Sequence, residues 1–345
     1  MPETVPDFIS AYLLSPLIDT FFGLFDFNGR LGLPFLCISL LIAFLLYRRQ
    51  RHLGYSQANN FGAFLGGRKV WLHRSALVDY AYYFVRALLH LAFIVPVMRW
   101  LDPVLLKQGD VTAFLNQVWT ARPRIGDNMG IMLLYGLGAF LVSDFAHYWL
   151  HRAFHSRWLW EFHKVHHSAT VMVPPTASRI HFFEKLCENL LKGFCFALYG
   201  GVIFWFCGDK VSNYTLFGVG YLAFIFNALA ANLRHTHIWL SFGPVIERVI
   251  NSPAQHQIHH SRNPAHFNRN FGTNLSLWDW LFGTLYLTGA KPEALEFGVS
   301  PKDNERYMKL HNLVWRPFWV TGVKLWRHVV HTNTAPEHRD LKPTE

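Results

Sequence analysis

Long apolar runs constrain this chain more than any other feature. Five stretches, approximately 31–47, 77–98, 130–150, 188–207 and 213–233, each approach the roughly 20 mostly apolar residues that cross a bilayer. Lipid offers no partner to backbone N–H and C=O groups, so such runs fold as helices that satisfy themselves. Only 16% of the 345 residues are charged, where soluble domains carry about 25%; 51% are hydrophobic and 17% aromatic. The expected fold class is therefore all-α, a multi-pass membrane helical bundle of about four to five spans. The last two runs are separated only by Gly208–Ser212 and read as a hairpin through the bilayer.

The formal charge of +10 is concentrated beside the apolar runs, which suits an anionic membrane surface. No motif of a nucleic-acid reader is present. The loop after the first run holds Arg48, Arg49, Arg51, Arg68, Lys69 and Arg74, and the positive-inside rule places it in the cytoplasm. Threading onward brings 147–167 and 235–260 out on that same face. The loop 99–129 also holds Arg99, Lys107, Arg122 and Arg124, which leaves room for a re-entrant segment there. Residues 8–25 and 311–327 read as helices lying in the interface, and 332–345 as a disordered tail. Cys37, Cys187, Cys195 and Cys207 lie in or beside apolar stretches with no CxxC pair, and read as packing residues. The acidic start, Met1 to Asp7, lacks the basic region of a cleavable signal.

Twenty histidines are present, and many of them follow ligand spacing. His147 and His151 are four apart, so they share one helix face. His163, His166 and His167 form an HxxHH triplet, and His256, His259 and His260 form another. One such triplet would arise by chance in roughly 7% of chains this rich in histidine, and two in roughly two per thousand. Three adjacent imidazoles carry six ring nitrogens, which are costly to bury near lipid without partners. Metal coordination satisfies them. With His235, nine imidazoles exceed the four that close a mononuclear zinc site and fit two ions. His181, His237 or His155 can supply a tenth ligand, and His181 is favoured because Arg179 and Glu184 lie beside it. Asp144, one turn before His147, can orient an imidazole. His52, His73, His90 and His266 read as interfacial polar residues. Trp149, Trp158, Trp160, Trp278 and Trp280 read as an interfacial aromatic belt before they read as a lipid channel.

The run DFAHYWLHRAFHSRWLWEFHKVHHS resembles the signature of the fatty acid hydroxylase and sterol desaturase superfamily. The runs NLRHTHIWLSFGPVIERVINSPAQHQIHHSRN and NFGTNLSLWDWLFGTLY resemble the same family, so the likeness covers roughly 140–287. It implies a di-iron membrane oxygenase with a cytosolic helical cap carrying the dimetal site above a four-helix core. The family's ligands fall on His147, His151, His163, His166, His167, His235, His256, His259 and His260. Its HPxE-like element falls on His181 to Glu184, here without the proline, and VMVPPTASRI departs from the usual pattern. The domain reading is an N-terminal membrane region over 1–129, a catalytic region over 130–290 and a C-terminal interfacial helix and tail over 291–345.

The implied chemistry is the use of O₂ by two iron ions to hydroxylate, or desaturate, a C–H bond of a lipid acyl, alkyl or sterol chain. Asp144 and Glu184 are the carboxylates expected to serve that site. No flavin, cytochrome or ferredoxin motif is present, so electrons are expected from a separate reductase, cytochrome or ferredoxin. A zinc-dependent lipid hydrolase would use a catalytic glutamate as in HExxH, which is absent. A metal transporter would hold its site near mid-membrane, whereas these histidines fall mostly after span ends. The lack of an appended electron-transfer domain and of a retrieval signal favours a bacterial inner membrane over the endoplasmic reticulum.

Overall fold

The computed structural model describes residues 30–119, 128–208, 211–212, 215–216, 219–229 and 231–333. The expectations for 8–25, and for the tail beyond Asn333, lie outside the described residues.

Among the described residues, four helical stretches are long and apolar enough to cross a membrane: Leu33–His52, Arg74–Val118, Met129–Phe154 and Phe182–Cys207. The first is α1. The second is composite: α2 (Arg74–Leu89) passes through a π turn at His90–Ile94 into α3 (Val95–Leu101), and α4 (Gln108–Val118) follows. The third and fourth are α5 (Met129–Phe154) and, beyond the short α6 (Trp160–His167), α7 (Phe182–Cys207). Asn128 caps α5 through Ile131 N–H, and Gly208 ends α7 at φ 89°.

The segment 213–233 is not a spanning helix. Gly220, a residue that costs about 1 kcal/mol in a helix interior, stands at the start of a helix instead of inside one. A two-residue hairpin, β1 (Thr215–Leu216) with β2 (Val219–Gly220), leads into the eight-residue α8 (Tyr221–Ala228). The chain still makes the return journey. Tyr221 Oη donates to Leu133 O near the start of α5, Phe226 stacks on Phe140 at 4.9 Å, and the turn Ala231–His235 brings His235 to His166 of α6. Hydropathy reports burial, and a broken return packed between α5 and α1 is as buried as a helix.

The re-entrant possibility at 99–129 has a counterpart in α4, which packs on the distal half of α7. Gly200 and Gly201 make the approach possible, because a Cβ at either would lie within 2.5 Å of Gln108 or Val111. Thr112 Oγ1 seals the contact by donating to Gly201 O at 3.0 Å.

A cap joins the spans at one end. Gln50 Nε2 donates to Trp239 O, and Asn232 Nδ2 to Arg30 O, so both ends of α1 are tied to the segment 232–239. The buried Asp79 of α2 finds its partner here. Asp79 receives Arg179 Nη1 at 2.9 Å and Thr176 Oγ1 at 2.6 Å. The fully buried Arg179 also donates to Val165 O, Ser168 Oγ and Tyr307 O. Its planar fork thus locks α6 to α2 and to the C-terminal segment. Around it Val78, Tyr82, Val165, Phe182, Leu313 and Val314 form an apolar core. The stretch 311–327 lies within the helix Leu310–Asn333, whose Trp319 and Trp326 are exposed as an interfacial helix requires.

Candidate metal centre

Three local devices place the histidines. In α5 a run of helical turns sets His151 and His155 on one face, their rings 5.2 Å apart. In α6, His163, His166 and His167 project from a two-turn helix whose end Arg179 fixes. The third device is α9 (Pro253–His259). Ser252 and Gln255 make a reciprocal capping box, and Pro253 sits at the first turn, where its missing N–H costs nothing. Ser252 Oγ also donates to the fully buried Glu247, which receives Thr288 N–H and Oγ1–H as well.

The imidazoles gather in two groups, each with ligand atoms within 4.8 Å of one another: His151, His155, His163, His167 and His259 in one, and His166, His235, His256 and His260 in the other. The groups adjoin, with His167 stacked on His260 at 4.5 Å. Both residue triplets divide between the groups, as side chains three and four apart on a helix can.

Hydrogen bonds at the rear of the rings decide which nitrogens face inward. His151 Nδ1–H donates to Phe271 O at 2.7 Å, His259 Nδ1–H to Arg269 O at 2.8 Å, and His163 Nδ1–H to Glu184 Oε1 at 2.9 Å. A carbonyl oxygen can only accept, so the neutral rings of His151 and His259 keep their protons on Nδ1 and present a bare Nε2, and an ionised Glu184 does the same for His163. His151 Nε2 and His163 Nε2 then stand 3.0 Å apart with a lone pair each and no proton between them. Nearby, the buried Nε2 atoms of His155, His167 and His259 have no hydrogen-bond partner. Five ring nitrogens thus converge on one point. In the second group, His235 Nε2 lies 3.0 Å from His256 Nε2 and 3.3 Å from His166 Nε2, and His256 Nε2 lies 3.1 Å from His260 Nε2. Nitrogens sharing one ion at about 2.0–2.1 Å, with angles between square and tetrahedral, are separated by about 2.9–3.4 Å. The donor set fits a metal ion in each group.

Burial, reinforced by neighbouring imidazoles, pushes His155, His163, His166, His167, His235, His256 and His260 well below the ordinary imidazole range, and His259 down to about 3. Neutral imidazole is the coordinating form, so the protein withholds the competing proton.

Two expected ligands stand apart. His181 caps α7: its Nδ1 accepts from Phe183 N–H at 3.1 Å and its Nε2–H donates to Val314 O at 2.9 Å, leaving no lone pair for a metal. His147, one turn deeper along α5, belongs to neither group and lies 3.5 Å from Glu188 Oε1. His155 takes the place the spacing gave to His147, and the run His147, His151, His155 at steps of four was the available signal. His237 donates to Phe64 O, away from both groups.

Asp144 touches no histidine. Its carboxylate accepts from Asn274 N–H, Leu275 N–H and Trp278 Nε1–H, and so moors the loop 274–278 to α5. That loop follows the part sequence reasoning missed. Asn268 and Asn270 adopt left-handed φ of 57° and 54°, a conformation asparagine tolerates, and bracket Arg269. This twist turns Arg269 O and Phe271 O onto His259 and His151. The buried Asn270 fixes it by donating to Gln255 O and Tyr286 O and accepting from Tyr286 N–H.

A cavity of about 670 Å³ opens onto the five-histidine group, lined by His155, His167, His259 and Trp160 with Arg157 and Arg262 among the residues at its wall. Of the other tryptophans of the expected aromatic belt, Trp149 and Trp280 are exposed, and Trp158 and Trp278 are half-buried.

Residues 136–284 match the fatty acid hydroxylase family model. Alkylglycerol monooxygenase of Homo sapiens is 30% identical over 189 residues, 53% of this chain and 38% of that protein. The Xenopus tropicalis alkylglycerol monooxygenase is 28% identical over 188 residues, 53% of this chain and 38% of that protein. Ornithine lipid hydroxylase OlsE of Rhizobium tropici is 28% identical over 175 residues, 50% of this chain and 47% of that protein. The chain thus spans less than half the length of these curated relatives. No solved structure matches it. The matched stretch runs from α5 to Thr284 and contains every histidine of the two groups; over it the chain is similar to the fatty acid hydroxylase family.

Proposed function

We propose that this chain is a membrane lipid hydroxylase that uses O₂ and two iron ions. His151, His155, His163, His167 and His259 would hold one ion, and His166, His235, His256 and His260 the other. Bound iron supplies the redox chemistry that lets O₂ attack an unactivated C–H bond. The balance is one C–H bond, one O₂, two electrons and two protons giving an alcohol and water. The observation that carries the reading is the pair of bare Nε2 atoms of His151 and His163, 3.0 Å apart with both Nδ1 protons committed elsewhere. A shared cation makes that arrangement favourable.

The chain's own residues prepare the site. Glu184, Arg269 O and Phe271 O fix the tautomers, and Glu184 acts as a positioning residue through His163. Trp160 and Phe271 shield the rings of His155 from water, at 5.1 and 4.9 Å. The cavity beside His155, His167 and His259 would receive the carbon to be oxidised. The charge pattern around α1 supports a cytoplasmic position for this face, within reach of a separate electron-donor protein.

The test is lipid mass spectrometry of cells with and without the protein, paired with metal analysis of the purified chain. The reading expects products one oxygen heavier, and iron that His163→Ala and His259→Ala both diminish. A redox-silent zinc protein that releases fatty acid instead would sink it.

A further inference from the structure

A second cavity, of about 510 Å³, lies between α1 and α2 and is built almost wholly of apolar side chains, among them Leu36, Leu40, Leu65, Trp71 and Phe84. It carries no charged residue. It does carry two polar atoms that the fold leaves unpaid. Ser39 is 5% exposed and its Oγ has no partner; Asn232 is 2% exposed and its Oδ1 has none. The amide orientation of Asn232 is settled, because its Nδ2 donates to Arg30 O. Oδ1 is therefore an acceptor in want of a donor. Ser39 Oγ can both give and take a proton. Orphaned polar groups in an apolar wall are costly and uncommon, and each one calls for an explanation.

We infer that this cavity binds the chain of an uncharged, hydroxyl-bearing lipid. A ligand hydroxyl can donate to Asn232 Oδ1 or accept from Ser39 Oγ, which lipids without hydroxyls cannot do for both. The aliphatic remainder lies along Leu36, Leu40 and Phe84. Asn232 and Thr236 flank His235 of the four-histidine group, so the polar end of the lipid rests one residue layer from the metal centre. The inference rests on the reading of the chain as a lipid-handling enzyme, but its test reads retention and not oxidation, so the two can fail separately.

The experiment compares three probes on the purified, metal-loaded full chain by native mass spectrometry: a glycerol monoalkyl ether, its di-O-methyl counterpart and a lysophosphatidic acid of the same chain length. The monoalkyl ether should be held about tenfold more tightly than the dimethyl form, the scale of leaving a buried group unpaired. The charged lipid should be held least. Ser39→Ala and Asn232→Leu should each erase most of the preference, and Leu40→Trp, which fills the cavity, should weaken all retention. Should Asn232→Leu also lose metal, Ser39→Ala alone decides. Equal retention of the two ethers, tightest retention of the charged lipid, or an unchanged preference in Ser39→Ala overturns the inference.

Discussion

His181 offers the sharpest separation of fold from chemistry, because it was the favoured tenth ligand and the structure makes it a helix cap. Burial lowers its pKa from 6.5 to about 4, partly offset by the bond to Val314 O. The folded pKa lies below the unfolded one, so the unfolded chain takes up the proton first. The stability this residue contributes is complete above about pH 6.5 and is lost as pH falls towards 4. At pH 5 the loss amounts to about 2 kcal/mol, and below pH 4 it approaches about 3 kcal/mol. The cause is visible: a protonated Nδ1 can no longer accept from Phe183 N–H, and the first turn of α7 loses its cap. His181→Asn keeps a capping oxygen that does not titrate. It forfeits the bond to Val314, so it should start about 1 kcal/mol less stable at pH 7.5. The order should reverse by pH 5. Thermal unfolding of wild type and variant in the same detergent, both stripped of metal, isolates this residue, since all other histidines are common to the two. At about 2 °C per kcal/mol, the gap in apparent Tm should shift by about 4 °C between the two pH values. Metal content is the second readout, and His181→Asn should bind as much as wild type. Parallel pH profiles, or a loss of metal, would refute the assignment.

Glu184→Ala strands the Nδ1 proton of His163 in a buried setting, so iron affinity measured against a competing chelator should fall about 10- to 100-fold while the protein stays folded. Of the two candidates on α5, His155→Ala should lower the metal-to-protein ratio and His147→Ala should leave it near the wild-type value; the opposite result would return His147 to the ligand set. Arg179→Ala leaves Asp79 charged and alone between α2 and the cap, and should cost about 3–5 kcal/mol in unfolding measurements. Arg179→Lys should recover little of this, because an ammonium cannot reach Val165 O, Ser168 Oγ, Tyr307 O and Asp79 together.

The division between what the chain's letters disclosed and what they hid follows the range of the interactions involved. Spacings of three and four are set by the helix alone, so His163, His166, His167, His256, His259 and His260 could be read as metal-facing before any tertiary contact was known. Choosing among His147, His151 and His155 was different in kind. All three share a face of α5, and the choice depends on how far that helix runs before α6 and the loop 266–272 meet it. The same limit concealed the acceptors. Arg269 and Phe271 act through their carbonyls, which every residue possesses, and what aims them is a pair of left-handed asparagines held by Gln255 and Tyr286. Hydropathy likewise saw a fifth run at 213–233 without seeing the hairpin and short helix into which its described residues fold. A metal site is thus announced by short-range periodicity, but its tautomers are chosen at long range. The positions worth mutating to weaken the metal without touching a ligand are therefore Glu184 and the two asparagines Asn268 and Asn270, which lie outside every histidine motif.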